Sequence, residues 1–300
     1  MTKKTTGRLK ESAIRAFFFA CGVLAVIALL GIFATLISTS FPAFKDIKLS
    51  EFLLSKNWDP TSPEMEEYGI LSMIMSSFIV TLGALLIAVP IGVGVAAYLS
   101  DVAHWRVREI VKPVVEILAG IPSVVVGFLG IVLFAPLISK IFNIGHGLTA
   151  LNGSILLAIM SLPTIISISE DSLTAVPPAY GEASLALGAS RWQTLFRVKL
   201  PAALSGIIAA CMLGMGRAIG ETMTVLMATG NARTFPQLPQ ALLRSVRTMT
   251  ANIAIELGEV PYYTAHYYAL FAIGLVLFVI TFVVNLVADV VLHKYQEREL

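Results

Sequence analysis

Charge is scarce in this chain of 300 residues: Asp, Glu, Lys and Arg together make up 13% of it, about half the share usual in soluble domains. The two signs nearly cancel, at net +2, and no basic run is interleaved with aromatics, so the electrostatic footprint of a nucleic-acid binder is missing. Cysteine is almost absent. Cys21 and Cys211 each lie inside an apolar stretch without a second cysteine or clustered histidine. This excludes a CxxC redox site or a thiolate metal site and leaves two small packing residues. The four histidines, His104, His146, His266 and His293, fall at the ends of apolar runs and imply no metal site. Gly-Lys occurs nowhere, which excludes a GxxxxGK[ST] phosphate loop. Neither HExxH nor GxSxG is present, which speaks against an intramembrane hydrolase.

What is abundant is apolar surface, with 57% of residues hydrophobic. A helix crossing a bilayer core needs about 20 apolar residues. Charge-free runs of that length occupy residues 16–44, 68–100, 117–139, 141–169 and 260–288, and a sixth, 200–232, is interrupted only by Arg217 and Glu221. Basic residues precede the first run, as in a secretory leader, but that run is far longer than the roughly 7–15 residues of a leader's apolar core, so it reads as a retained span. The expectation is an all-α, polytopic membrane protein with six transmembrane helices, a single domain over residues 1–300, without low-complexity tracts or a convincing repeat. Lys and Arg favour cytoplasmic N- and C-termini, with residues 1–15 inside. On that orientation the inner segments carry 13 basic residues and the outer loops 7, the bias of the positive-inside rule. Two outer loops are long. The last, about 233–261, places Leu242, Leu243, Val246 and Met249 at helix-like spacing and predicts a short interfacial or pore-mouth helix. Its Arg244 and Arg247 run against the positive-inside trend.

The inner loop at about 178–200 carries the most specific pattern. Pro177 and Pro178 end the fourth span. Glu182-Ala183-Ser184 follows, then Gly188, then Val198-Lys199-Leu200-Pro201. Small side chains at 183, 184, 186, 189 and 190 let another surface approach closely. Gly188 permits a turn between two short helices, and Pro201 is tolerated in the first turn of the next span. This spacing resembles the EAA motif of bacterial ABC-importer permeases, with Ser184 in place of the second Ala and Val198 in place of Ile. The resemblance implies a type I ABC-importer permease fold and a cytoplasmic coupling loop that docks on an ATPase, with Glu182, Ala183, Ser184, Gly188, Leu200 and Pro201 as the coupling residues.

Trp58-Asp59-Pro60, Tyr68-Gly69-Ile70-Leu71, Ala119-Gly120-Ile121-Pro122-Ser123-Val124 and Gly216-Arg217-Ala218-Ile219-Gly220-Glu221-Thr222-Met223 look like phosphate permeases. Thr250 to Ala254 and Glu256 to Glu259 are similar to the PstC type. The resemblance implies a bacterial inner-membrane, multi-pass subunit that pairs with a second homologous permease as a heterodimer. Two ATPase subunits and an extracytoplasmic phosphate-binding protein would complete the assembly. ATP and Mg would be used by the partner ATPase, and this chain would bind no cofactor itself. Its lateral neighbour would be membrane lipid, and no nucleic acid is implied. Two alternatives stay open: a permease for another oxyanion such as molybdate or sulfate, and a secondary transporter or channel, which would have no use for the coupling loop and would more plausibly show repeated halves.

Arg217 lies 16 residues past Pro201, about 24 Å along a helix, deep in a membrane core. A charge at that depth costs roughly 2.5–3.5 kcal/mol on insertion scales, so it should face the protein interior or an aqueous path. Glu221, four residues on, would share its helix face. Arg217, Glu221 and Thr222 are therefore the candidate substrate path, with the guanidinium fork suited to an oxyanion; the bland reading is an ion pair that pins two helices. Gly216 and Gly220 offer close approach of a neighbour. Ser161, Thr164, Ser167 and Asp171 share one face of the fourth span, as pore lining or as packing. Glu170 and Asp171 are expected near the inner surface in water. Pro90, Pro122 and Pro163 fall in three spans, as kinks that act as gate hinges or simply as the prolines common in membrane helices.

Overall fold

The computed structural model of the chain describes residues 2–63 and 65–296, with side chains for residues 11, 14–63 and 65–290. Lys3, Lys4, Arg8, Lys10, His293, Lys294 and Arg298, used in the sequence reading, lie outside the described side chains. A long helix, α1 (Thr2–Ser40), is followed by α2 (Ala43–Asp46) and α3 (Leu49–Leu54). A two-stranded ribbon pairs β1 (Trp58–Asp59) antiparallel with β2 (Glu67–Tyr68). Helix α4 (Leu71–Ala97) runs on through a π-helical turn at Tyr98–Val102 and is followed by α5 (Trp105–Ala119). Then α6 (Ser123–Leu129), a π-helical stretch at Gly130–Phe134 and α7 (Ala135–Phe142) make one span, and α8 (Ala150–Ala175) the next. Short helices α9 (Pro178–Ala186), α10 (Arg191–Thr194) and α11 (Leu200–Ala202) lead into α12 (Leu204–Gly220) and α13 (Met223–Ala228). Helices α14 (Met249–Glu256) and α15 (Ala265–Gln296) complete the described chain.

The all-α polytopic architecture is as expected. Five stretches are long and apolar enough to cross a membrane: Ile14–Asp46, Leu71–Val102, Ser123–Phe142, Ala150–Ala175 and Ala265–Val290. A sixth exists if Arg191–Ala202 and Leu204–Gly220, which meet at a 69° bend, count together. The boundaries differ from the charge-free runs where a chain turn carries no charge. The run at 141–169 becomes a helix only at Ala150. Asn143, left-handed at φ 52°, ends α7, and the Thr149 hydroxyl accepts from the Asn152 amide to start α8. Pro122 precedes Ser123 and opens α6 instead of kinking a span, whereas Pro90 and Pro163 do lie inside α4 and α8.

Helices α4, α8 and α12 form the centre of the bundle. Small residues set how closely they approach, as in membrane interfaces generally. A Cβ on Gly92 of α4 would lie 2.7 Å from Ile165 of α8, and one on Gly214 of α12 would lie 2.8 Å from the same side chain. Ile165 is thus a knob seated between two glycines. Of the two glycines expected to admit a neighbouring helix, Gly216 faces α15, where a Cβ would stand 3.7 Å from Asn285 Oδ1, whereas a Cβ at 220 meets nothing within 4 Å. Helix α1 lies along α15 with no residue of its most apolar stretch buried, a surface suited to lipid.

Apolar clusters close both ends of the bundle. At one end Phe52, Trp58, Ile70 and Met73 pack on Met249, Leu270 and Ile273. At the other, Ala96 and Ala97 pack on Leu173, Leu195, Ala203 and Ile207. The long loop before α15 holds a short helix, as expected for 233–261, but that helix begins only at Met249 and is not built from the 242–249 spacing. A tight turn occupies Gln240–Leu243, Val246 bridges Gly230, and α14 starts at Met249. Ala241, Val246, Met249 and Ala251 are buried, so the loop folds back into the bundle. Gly230 and Asn231, both at positive φ, turn the chain inward.

Candidate functional site

The loop between α8 and α12 is a compact two-helix element. Val176 is extended and Pro177-Pro178 launch α9. Gly188 adopts φ +86°, a conformation costly for residues with a Cβ, and its amide closes back on Leu185. The Ser190 hydroxyl and the Gln193 side chain form a capping box on α10, which fixes its start. Ser184 and Thr194 share a 3.0 Å hydrogen bond that ties α9 to α10. Glu182, Ala183 and Gly188 are exposed, Ser184 and Leu200 are half-buried, and Pro201 is exposed in α11. Leu187 is 90% exposed and Trp192 60%, giving the element a free apolar rim.

The substrate-path candidates are arranged differently from the expectation. Helix α12 stops at Gly220 and Glu221 is extended, so Arg217 and Glu221 no longer share a helical face. The Glu221 carboxylate turns forward to accept from the Thr224 amide at 3.3 Å in the first turn of α13, a favourable place for negative charge. Its backbone carbonyl, freed by the break, accepts from the Thr250 hydroxyl at 2.9 Å. Arg217 is exposed on α12 and, among the described residues, makes no ion pair. Thr222 lines an open cavity of about 460 Å³ with Gly220, Thr250, Ile253, Ala254 and Leu257. Ser161 is buried and donates to the Gly214 carbonyl at 3.4 Å, a packing role.

Two buried carboxylates went unrecognised in the sequence. Glu170, expected in water, is buried; it accepts from Arg108 and, at 2.8 Å, from Lys112, both on α5. Asp171 remains exposed and takes a second contact from Lys112 at 3.3 Å. The Lys112 ammonium is held above its usual range, first by its hydrogen bond to Glu170 and against the effect of burial. At the other end of the bundle Glu256 accepts from Trp58 Nε1 at 2.9 Å and lies 2.8 Å from His266 Nε2 through one oxygen. Its other oxygen accepts from Arg247 at 2.9 Å and Arg233 at 3.3 Å. Burial would raise the Glu256 carboxyl, but hydrogen bonds from His266 and Trp58 and the nearby charge outweigh it and hold the group below its usual range. Burial lowers the Arg247 guanidinium. A signal existed for the second site: charges at 233, 247 and 256 in a loop that also carries buried-type residues.

A helical bundle whose α4, α8 and α12 pack through glycines, with a capped, small-residue two-helix element projecting between α8 and α12, is a membrane permease fold. Residues 88–297 match the binding-protein-dependent transport system inner membrane component family, and the chain belongs to it. It is 37% identical over 284 residues, 94% of this chain and 91% of the other, to the probable ABC transporter permease protein YqgH of Bacillus subtilis. It is 33% identical to the phosphate transport system permease protein PstC of Mesorhizobium japonicum, covering 97% of this chain and 92% of that one. Among solved structures, a bacterial ABC transporter involved in import of the acidic polysaccharide alginate superposes with TM-score 0.63 at 17% identity, over 96% of this chain and 99% of that chain. The MetNI methionine ABC transporter superposes at 0.55 and 19% identity, over 76% and 94%. These share the fold. The chain is a multi-pass inner-membrane permease of the ABC-importer kind.

Proposed function

We propose that the chain is one of two permease subunits of an ATP-driven importer of inorganic phosphate. The observation that carries this reading is the likeness to a phosphate permease along nearly the whole chain, joined to an exposed two-helix element of the kind that meets an ATPase. On this reading the chain forms half of the translocation path, with a homologous permease forming the other half. Two ATPase subunits sit on the cytoplasmic side and hydrolyse ATP with Mg, and a phosphate-binding protein delivers substrate from outside. Both termini and the α9 end face the cytoplasm, and the α14 end faces outward.

The α9–α11 element acts as the coupling loop through Glu182, Ala183, Ser184, Gly188, Leu200 and Pro201. Arg217 handles the anion: it is a cation deep along a span, exposed on its helix and without a counter-charge among the described residues, so an anion or a partner chain would offset its desolvation. Glu221 and Thr222 shape the break above it, where Gly220, Thr222 and Thr250 line an open cavity.

The test is reconstitution. Complex purified with its ATPase and loaded binding protein should import radiolabelled phosphate into vesicles, with molybdate and sulfate failing to compete; competition by either at equal concentration would point to another oxyanion. Arg217→Gln should leave assembly and ATP hydrolysis intact and abolish most uptake. Because the two side chains do not pair, adding Glu221→Gln should not rescue it. Rescue by the double change would refute the anion-handling role.

A further inference from the structure

The α9–α11 element is joined to the bundle covalently at α8, through Val176-Pro177, and at α12, through the bend at Ala203. It has no covalent link to α4, yet α4 is half of the central α4–α8 pair. One polar contact supplies that link: the Lys199 ammonium donates to Asp101, 98 residues away in the chain. Both partners are largely withdrawn from water, at 26% and 16% exposure. Asp101 sits in the π-helical turn that ends α4, and Lys199 is the last residue of the π-helical turn between α10 and α11. Such turns are rare and recur at functional sites; here two of them meet at one ion pair.

The surroundings favour a strut over a simple surface pair. Gly181 of α9 faces the Lys199 stem, where a Cβ would stand 3.2 Å from Cε, so the absent side chain leaves room for lysine to cross to Asp101. Beneath the pair Leu195 packs on Ala96 and Ala97. That apolar contact is non-directional and permits sliding, whereas a charge-assisted hydrogen bond fixes register. Beside it an open cavity of about 420 Å³ is lined by Asp101 of the α4 end and by Gly181, Glu182, Arg191, Trp192 and Lys199 of the element.

We propose that Asp101 is a positioning residue for energy coupling: its ion pair with Lys199 makes α4 move with the α9–α11 element, so displacement of the element reaches α4 as well as α12. The inference rests on the importer reading above. It is tested in the complete complex in proteoliposomes, measuring phosphate uptake and ATP hydrolysis in the same vesicles. Asp101→Ala should assemble in normal yield and consume about tenfold more ATP per phosphate imported, the size of a typical coupling energy. The exchanged pair, Asp101→Lys with Lys199→Asp, should recover most of the ratio. An unchanged ratio in Asp101→Ala, no recovery in the exchanged pair, or hydrolysis and uptake falling together with assembly would overturn the proposal. A second readout does not depend on which anion is carried. Nitroxides at Val102 and Arg191 should keep one separation with and without trapped nucleotide in the parent complex and drift apart in Asp101→Ala; equal shifts in both would overturn it. A parent complex that couples hydrolysis to no phosphate uptake would refute the importer reading instead, with the distance measurement still deciding the strut.

Discussion

The two ends of the bundle each bury a carboxylate between two cations, and they treat those cations differently. At the α9 end Glu170 is buried, while Arg108 and Lys112 each keep 37% exposure. At the α14 end Glu256 is buried together with Arg247, which keeps 12%, and only Arg233 reaches the surface. Glu256 also receives Trp58 from the β-ribbon and His266 from the start of α15, so one group gathers segments as far apart as 198 positions in sequence. The α9 end leaves Leu187 and Trp192 bare. The Glu256 carboxylate is therefore satisfied internally through both oxygens, although the buried Asn252 amide nitrogen beside it has no partner among the described residues; the α9 end holds its carboxylate between half-solvated cations and exposes Leu187 and Trp192 for a partner to cover. A buried carboxylate with both oxygens hydrogen-bonded to several elements rigidifies what it joins; one held by half-solvated cations leaves its surroundings freer to move.

The largest effect should come from breaking the satisfied end. Glu256→Ala strands the buried Arg247 guanidinium, and removing one partner of a buried pair costs about 3–5 kcal/mol. The expected outcome is rapid limited proteolysis between residues 231 and 256 and a lowered unfolding midpoint in detergent; protection equal to the parent would show that the loop is held by apolar contacts alone. The same site has a pH signature. A carboxyl held below its usual range contributes stability above its unfolded value of about 4.3 and loses it as pH falls through the lower folded value. Hydrogen exchange of α14 should be flat from neutral pH down to that range and then rise, beyond the intrinsic rate change; in Glu256→Gln the rise should vanish.

Next in size is Trp58→Phe, which keeps the ring in its apolar cluster and deletes one donor to a charged acceptor, a loss of about 1.5–3 kcal/mol. Unfolding in detergent should register it. Gly188→Val at the opposite end places a β-branched residue at φ +86° with open space around it, so the cost is backbone strain of about 1–2 kcal/mol. There the readout is ATPase co-purification, which should fall because the turn between α9 and α10 is displaced. Intact binding and uptake would remove Gly188 from the coupling residues.

The contrast between the ends also explains what could be read in advance. Apolar runs between charges located the five continuous spans because lipid imposes length and composition on each one separately. The motif around Glu182 and Gly188 was legible because its small residues and turn are local. The break at Glu221 was not: an apolar run predicts a continuous helix, and the stop depends on Thr250 of α14 and Thr224 of α13 satisfying Glu221. Glu170 and Glu256 were missed for a related reason. The cations that hold Glu170 lie 58 and 62 positions away, so nothing near it in the chain marks it as buried; for Glu256 the nearby Arg247 was a signal, but Trp58, 198 positions away, was not one that local pattern could supply.

The smallest effect sharpens the comparison most. Glu170→Gln removes a charge as buried as that of Glu256, so if carboxylate burial alone set the cost the two neutralisations would match. The cations decide otherwise. Arg108 and Lys112, already more than one third exposed, can turn to water when their acceptor loses its charge, and the amide oxygen of glutamine still accepts one hydrogen bond. The expected loss is about 1 kcal/mol, that of an ordinary hydrogen bond. Unfolding midpoints of Glu170→Gln and Glu256→Gln, taken side by side in the same detergent, measure the difference. Equal shifts would mean that α5 is as tightly bound to α8 as α14 is to its neighbours. A small shift at Glu170 with a large one at Glu256 would mean that α5 is held loosely enough to follow the coupling element when it moves.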